Sequence, residues 1–179
     1  MKKLVLFVLF GLFAAGCASG PDPSDGGNMA DPLSMLRQRP SMEEITARYE
    51  EMQQKLRDRL SAGLGLGARW ADQGDPGQAA CQGQELSHVD GAEEHSLDTW
   101  IYEGNIPDDQ WARAQQIAID VTKEYGFKEL EVVVNRPGDH KVEIRDDFGA
   151  ALQFGTAVNT VMSLRTGCHL LQSAKGGRG

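Results

Sequence analysis

Positive charge, aromatic side chains and cysteine are all scarce in this sequence of 179 residues, and each shortage excludes something. Lys and Arg number 18 against 26 Asp and Glu, a net charge of −8. No basic stripe is left over to neutralise a phosphate backbone, so general nucleic-acid binding is excluded. Long apolar runs are missing as well. A mean hydropathy of −0.41 rules out a multi-span membrane protein, and an apolar fraction of 40% is too high for a chain disordered throughout. The usual motifs of metal and nucleotide chemistry are also missing. His88, His95, His140 and His169 are scattered, with no HExxH among them, and neither internal cysteine lies in a CxxC. Gly63, Gly65 and Gly67 follow a helix and lack the Lys-Ser/Thr of a phosphate loop, which needs strand, loop and helix in that order. One domain is the natural count, at roughly 100–200 residues per domain.

What is present at the N-terminus gives an address. Lys2 and Lys3 precede residues 4–15, which carry no charge and are apolar apart from Gly11. That run is shorter than the about 20 residues a spanning helix needs, so it reads as a secretion signal over residues 1–16. Its end, Ala14-Ala15-Gly16-Cys17, resembles a bacterial lipobox. The resemblance implies cleavage between Gly16 and Cys17 and a diacylglycerol on the Cys17 thiol, a lipid anchor in the membrane. An ordinary signal with a chance cysteine is the alternative. Without residues 1–16 the chain loses two lysines and no acids, and its charge becomes −10. Anionic lipid would hold such a domain off the membrane rather than flat against it.

Two cysteines remain, Cys81 and Cys168. An even remainder in an exported chain is most simply a disulfide, with two free thiols as the alternative. A loop of this length carries a chain-entropy stabilisation of about 4–5 kcal/mol.

Residues 17–40 read as a lipidated terminus and solvated tether, rich in Gly, Pro, Ser and Asp, with a short helical turn starting at Asp31-Pro32. A helix over 42–62 follows. Ser41 and Glu44 have capping-box spacing, Met42, Ile45, Tyr49, Met52, Leu56 and Leu60 form one apolar stripe, and Gly63 supplies the stop. The opposite, charged face includes Lys55, Arg57 and Asp58. Residues 63–97 are hard to read beyond a short strand at Arg69-Trp70-Ala71. Thr99 to Glu103 has strand composition, and Asn105 to Asp109 opens a second helix striped by Trp111, Ala114, Ala118, Val121 and Tyr125. Strands are expected at 130–135, 141–145, 150–156 and 160–171, joined by turns at Pro137-Gly138 and Asp147-Phe148-Gly149, with Gly167 marking a bulge. The order α-β-β-α-β-β-β-β predicts an α+β domain over 41–172, an antiparallel meander with two amphipathic helices on one face, and a disordered tail over 173–179.

Together these features resemble the LppA-like lipoproteins of mycobacteria and related actinobacteria. The matching stretches are the lipobox, Arg57-Asp58-Arg59-Leu60-Ser61-Ala62 at the end of the first helix, Trp70, Ala80-Cys81, Glu124-Tyr125-Gly126 and Thr166-Gly167-Cys168-His169-Leu170-Leu171. The resemblance implies a surface lipoprotein with no catalytic residues or cofactor to carry over, and it supports pairing of Cys81 with Cys168.

Asp90, Glu93, Glu94, His95 and Asp98 form an acidic patch, read as a solvated loop. A Ca²⁺ site is disfavoured because EF-hand spacing is absent. His169 beside Cys168 invites a Cys–His nucleophile, but strand neighbours point to opposite faces and a disulfide consumes the thiol. Three functions remain: a non-catalytic envelope lipoprotein that binds a protein or wall component, a carrier of an apolar small molecule in a cavity lined by Met42, Met52 and Met162, and a hydrolase using the patch around His95.

Overall fold

The computed structural model describes residues 31–176 apart from Ala68 and Asp75. The lipobox with Gly16 and Cys17 lies outside the described residues.

The first helix, α1 (Pro32–Gln38), has Asp31 at its N-cap, whose carboxylate accepts from the Ser34 N–H at 3.1 Å. In the second, α2 (Met42–Leu64), the expected capping box is reciprocal. Glu44 N–H donates to Ser41 Oγ at 3.1 Å, and Ser41 N–H donates to Glu44 Oε2 at 2.7 Å. The helix runs two residues past its expected end. Gly63 lies inside it, beside Ile117, and the stop is Gly65 at φ 67°, a left-handed conformation that glycine adopts without steric cost.

Four short strands lie between α2 and α3: β1 (Trp70–Asp72), at the strand expected around Trp70, then β2 (Gly77–Ala80), β3 (Ala92–Ser96) and β4 (Trp100–Tyr102). Next come α3 (Asp108–Lys123) and the long hairpins β5 (Phe127–Arg136), β6 (Asp139–Asp146), β7 (Ala151–Thr156) and β8 (Thr160–Arg165). The expected single last strand breaks at 166–168. It resumes as β9 (His169–Leu170), and α4 (Gln172–Lys175) occupies the start of the expected tail.

Every strand pairing is antiparallel, and the sheet runs β1-β4-β8-β7-β6-β5, with β3 joining β2 to β8 and β9. The meander of the last hairpins is as expected for an α+β fold. Alternation then sorts the faces. Val142, Ile144, Leu152, Phe154, Met162 and Leu164 point toward α2 and α3 and are buried. Tyr49 meets Phe127 edge-on at 5.3 Å, while Trp111 stacks between His140 at 5.1 Å and Phe154 at 5.3 Å. A smaller cluster holds Leu36, Cys81, Ala92, Cys168 and Leu170. Leu36 is fully buried there, so the packed unit already includes α1 on the N-terminal side of residue 41.

Candidate functional site

The chemistry-bearing residues fall into three places. The first is the stapled end. Cys81 and Cys168 form a disulfide with Cα atoms 5.4 Å apart, closing the 87-residue separation. Around it the N-terminal segment is pinned by main-chain acceptors. Arg39 Nη1 donates to Cys168 O at 2.9 Å and to Phe148 O at 3.2 Å, and Lys175 Nζ donates to Arg39 O. His169 is fully buried, donates from Nδ1 to Pro40 O at 2.9 Å and lies edge-on to Phe148. Burial holds its pKa below the ordinary histidine value. The disulfide consumes the Cys168 thiol, so Cys168 and His169 form no nucleophile pair.

The second place is the acidic patch, which is not the expected loop. Glu93, Glu94 and His95 lie on β3, whose backbone pairs with β2 on one side and with β8 and β9 on the other. Alternation splits the patch. Glu93 Oε2 meets His95 Nε2 at 2.9 Å on one face, while Glu94 turns to the other and pairs with Arg165 at 2.8 Å. Asp90 precedes the strand and Asp98 follows it. No group of three or more metal-ligating side chains gathers among the described residues.

The third place was not singled out from sequence. A groove of about 410 Å³ runs beside α2, where Gln54, Arg57, Asp58 and Ser61 face Trp70 and Trp100. The register Trp70↔Tyr102 and Asp72↔Trp100 puts both indoles on one face of the β1–β4 edge, as diagonal neighbours. Arg57, expected on the solvated face of the helix, is only 6% exposed. Its guanidinium lies 3.5 Å from the Trp100 ring centroid, and Nη2 donates to Gln54 Oε1 at 2.6 Å. Burial lowers its pKa from the ordinary guanidinium value, against the opposing pull of Asp58, Asp72 and Asp98. Gln54 Nε2 in turn donates to Asp58 Oδ1 at 3.0 Å, and Trp70 Nε1 to Ser61 Oγ at 3.1 Å. The sequence signal was the four-residue spacing of Gln53, Arg57 and Ser61 beside the apolar stripe. Gln53 is also buried and reaches Asp98 O at 3.2 Å.

On the sheet face away from the helices, two smaller grooves of about 210 and 250 Å³ share Gln153 and Ser163. Glu143 there accepts from Gln153 Nε2 at 2.9 Å and pairs with Arg145, and these contacts, Gln153 foremost, hold its carboxyl below the usual range. Met42, Met52 and Met162 line none of these grooves; all three are fully buried in the main core.

Compared with known proteins, the family model LppA, described as a lipoprotein confined to pathogenic Mycobacterium, matches residues 19–172. Among solved structures, the lipoprotein LppA from Mycobacterium tuberculosis superposes with a TM-score of 0.68 at 16% identity, over 82% of this chain and 88% of that one. A DUF4853 family protein from Actinomyces odontolyticus superposes with a TM-score of 0.57 at 14% identity, over 76% and 73%. At these identities the likeness is one of fold. No curated protein matches the chain.

Proposed function

Because the chain belongs to the LppA family of lipoproteins, we propose that it is a lipid-anchored module on the extracytoplasmic side of the cell membrane that binds a protein or wall component and performs no chemistry on it. The observation that carries this reading is the employment of the reactive side chains. Cys168 is spent in the staple, His169 is buried against Pro40, and Glu94 is held by Arg165 away from His95. Cys168, His169 and Glu94 are thereby tied into the fold, and Glu93 and His95 pair with each other. A disulfide linking the first strands to the last suits an oxidising compartment outside the cytoplasm. An anchor at Cys17 would leave only residues 18–30 between the lipid and α1, so the stapled end, which contains α1, would face the membrane and the rest of the domain would face outward. The buried methionines fill the space that a carrier of apolar molecules would need.

The test is chemical crosslinking in intact cells combined with co-sedimentation of the purified lipoprotein with washed, insoluble cell wall. Retention on wall, or one protein crosslinked reproducibly by wild type and lost when the outward face is altered, is the expected result. Neither retention nor a reproducible crosslink would contradict the reading.

A further inference from the structure

We propose that the groove between α2 and the β1–β4 edge is a binding site for a neutral saccharide, seated against Trp70 and hydrogen-bonded by Gln54, Asp58 and the Arg57 guanidinium that covers the Trp100 ring. This deepens the reading of the protein as a wall-facing module and rests on it.

Arg57 supplies the first argument. A guanidinium 6% exposed is normally paired, yet Arg57 forms no ion pair among the described residues, and its Nη1 is buried with no hydrogen-bond partner. Leaving a charged donor unsatisfied is costly, and native folds retain such a group where it serves something besides stability. Its neighbour Gln54 is the movable piece. Turning Gln54 aside exchanges its bond to Arg57 Nη2 for one to a ligand and frees that nitrogen for a ligand oxygen.

The composition of the walls selects the ligand. At about 410 Å³ the groove falls within the roughly 300–1,000 Å³ of small-molecule sites. An anion would be drawn to Arg57, but Asp58 lines the same groove and Asp72 and Asp98 lie near enough to act on the Arg57 charge. Those three carboxylates against one guanidinium disfavour phosphate or carboxylate. A cation gains little either, because among the lining residues the guanidinium of Arg57 offsets the single carboxylate, Asp58. A purely apolar ligand would strip water from Arg57, Gln54 and Asp58 and return no hydrogen bond. A sugar ring satisfies both sets of walls: its C–H face packs on indole, and its hydroxyls accept from Arg57 and donate to Asp58. Both indoles remain partly exposed, unlike Trp111, which is sealed in the core.

The experiment uses the full chain, purified in a detergent without a sugar headgroup. Chitotriose and maltotriose serve as neutral probes and a trimer of galacturonate as the anionic one, read by saturation-transfer NMR and tryptophan emission. A neutral trimer is expected to bind saturably at millimolar concentration. Trp70→Ala and Arg57→Met are each expected to weaken that binding about tenfold or more, the equivalent of about 1.4 kcal/mol. Arg57→Lys tests fold against site: it keeps the charge but loses the planar fork, so it should remain folded by thermal melting and bind more weakly than wild type. No saturable binding of either neutral trimer, tighter binding of the galacturonate trimer, or undiminished binding in folded Trp70→Ala overturns the proposal. The wall and crosslinking assay is scored separately, so loss of the sugar site leaves a crosslinked protein partner standing, and loss of both removes the module reading too.

Discussion

Gly167 and Phe148 are packed so closely that a β-carbon on Gly167 would lie 1.9 Å from the Phe148 carbonyl oxygen. Phe148 sits in the β6–β7 turn, and Gly167 in the break between β8 and β9, so this contact sets where the last strand leaves the sheet and Cys168 turns toward Cys81. Arg39 bridges the same two segments by its bonds to Phe148 O and Cys168 O. Backbone cannot yield as a side chain tip can. Gly167→Ala is therefore expected to cost about 3 kcal/mol or more in urea unfolding. Gly176→Ala, with open space around it, should be near neutral.

Removing the staple has its own expected size. Replacing Cys81 and Cys168 together by Ser frees an 87-residue separation, and stability should fall by about 4–5 kcal/mol. Equilibrium unfolding of wild type with and without reductant, compared with the double variant, reads it. Equal midpoints in all three would show that the crosslink carries no stability.

Asp146 anchors the turn before Phe148. Its carboxylate accepts from the Phe148 and Ala150 N–H groups, each at 2.9 Å, and from the Tyr49 hydroxyl on α2. Burial, with the bond to Asp146, pushes the Tyr49 pKa up, so the phenol stays a donor at any physiological pH. Tyr49→Phe keeps the ring against Phe127 and deletes only that donor. The expected loss is about 1.5–3 kcal/mol, as for a hydrogen bond to a charged acceptor, measured by chemical denaturation.

The helices and the meander were legible in the sequence because each carries its own local signal. Ser41 and Glu44 cap α2, the Pro137-Gly138 turn sets one hairpin, and Val142 and Ile144 alternate in the strand that follows. The strands β2 and β3 lack such signals. Gly77–Ala80 is exposed throughout, and Ala92–Ser96 holds two glutamates and a histidine. β3 becomes a strand because the edge of β8 and the short β9 offer it backbone partners, and β2 because it pairs in turn with β3, which is a tertiary cause. Arg57 was misplaced for a related reason. A helical wheel puts it beside Asp58 on the polar side, and only the arrival of Trp100 from β4 buries it. The α2 stop shifted from Gly63 to Gly65 because two glycines compete there and only the second takes a left-handed φ.

Acid should weaken the stapled end through His169. In the fold, burial lowers its pKa from 6.5, with Arg39 and Lys175 acting in the same direction and Pro40 O and Asp146 opposing. The unfolded chain then binds the proton first. Stability from this group is complete above about pH 6.5 and is lost as pH falls toward the folded value, at most about 1.4 kcal/mol per pH unit. His169→Asn keeps a donor for Pro40 O and removes the titration. The difference in unfolding free energy between wild type and variant should be flat above pH 7 and shrink between pH 6.5 and 5. A difference independent of pH would contradict the assignment.

The proposed lipid on Cys17 would hold this domain at the membrane surface, and partitioning in a detergent that separates into two phases reads that anchor out. Wild type expressed in an actinobacterial host should enter the detergent phase, and Cys17→Ser should give an unprocessed precursor or, once freed of residues 1–16, a protein found in the aqueous phase. A Cys17→Ser protein that has lost its signal and still partitions with detergent would show that no lipid on Cys17 anchors the domain.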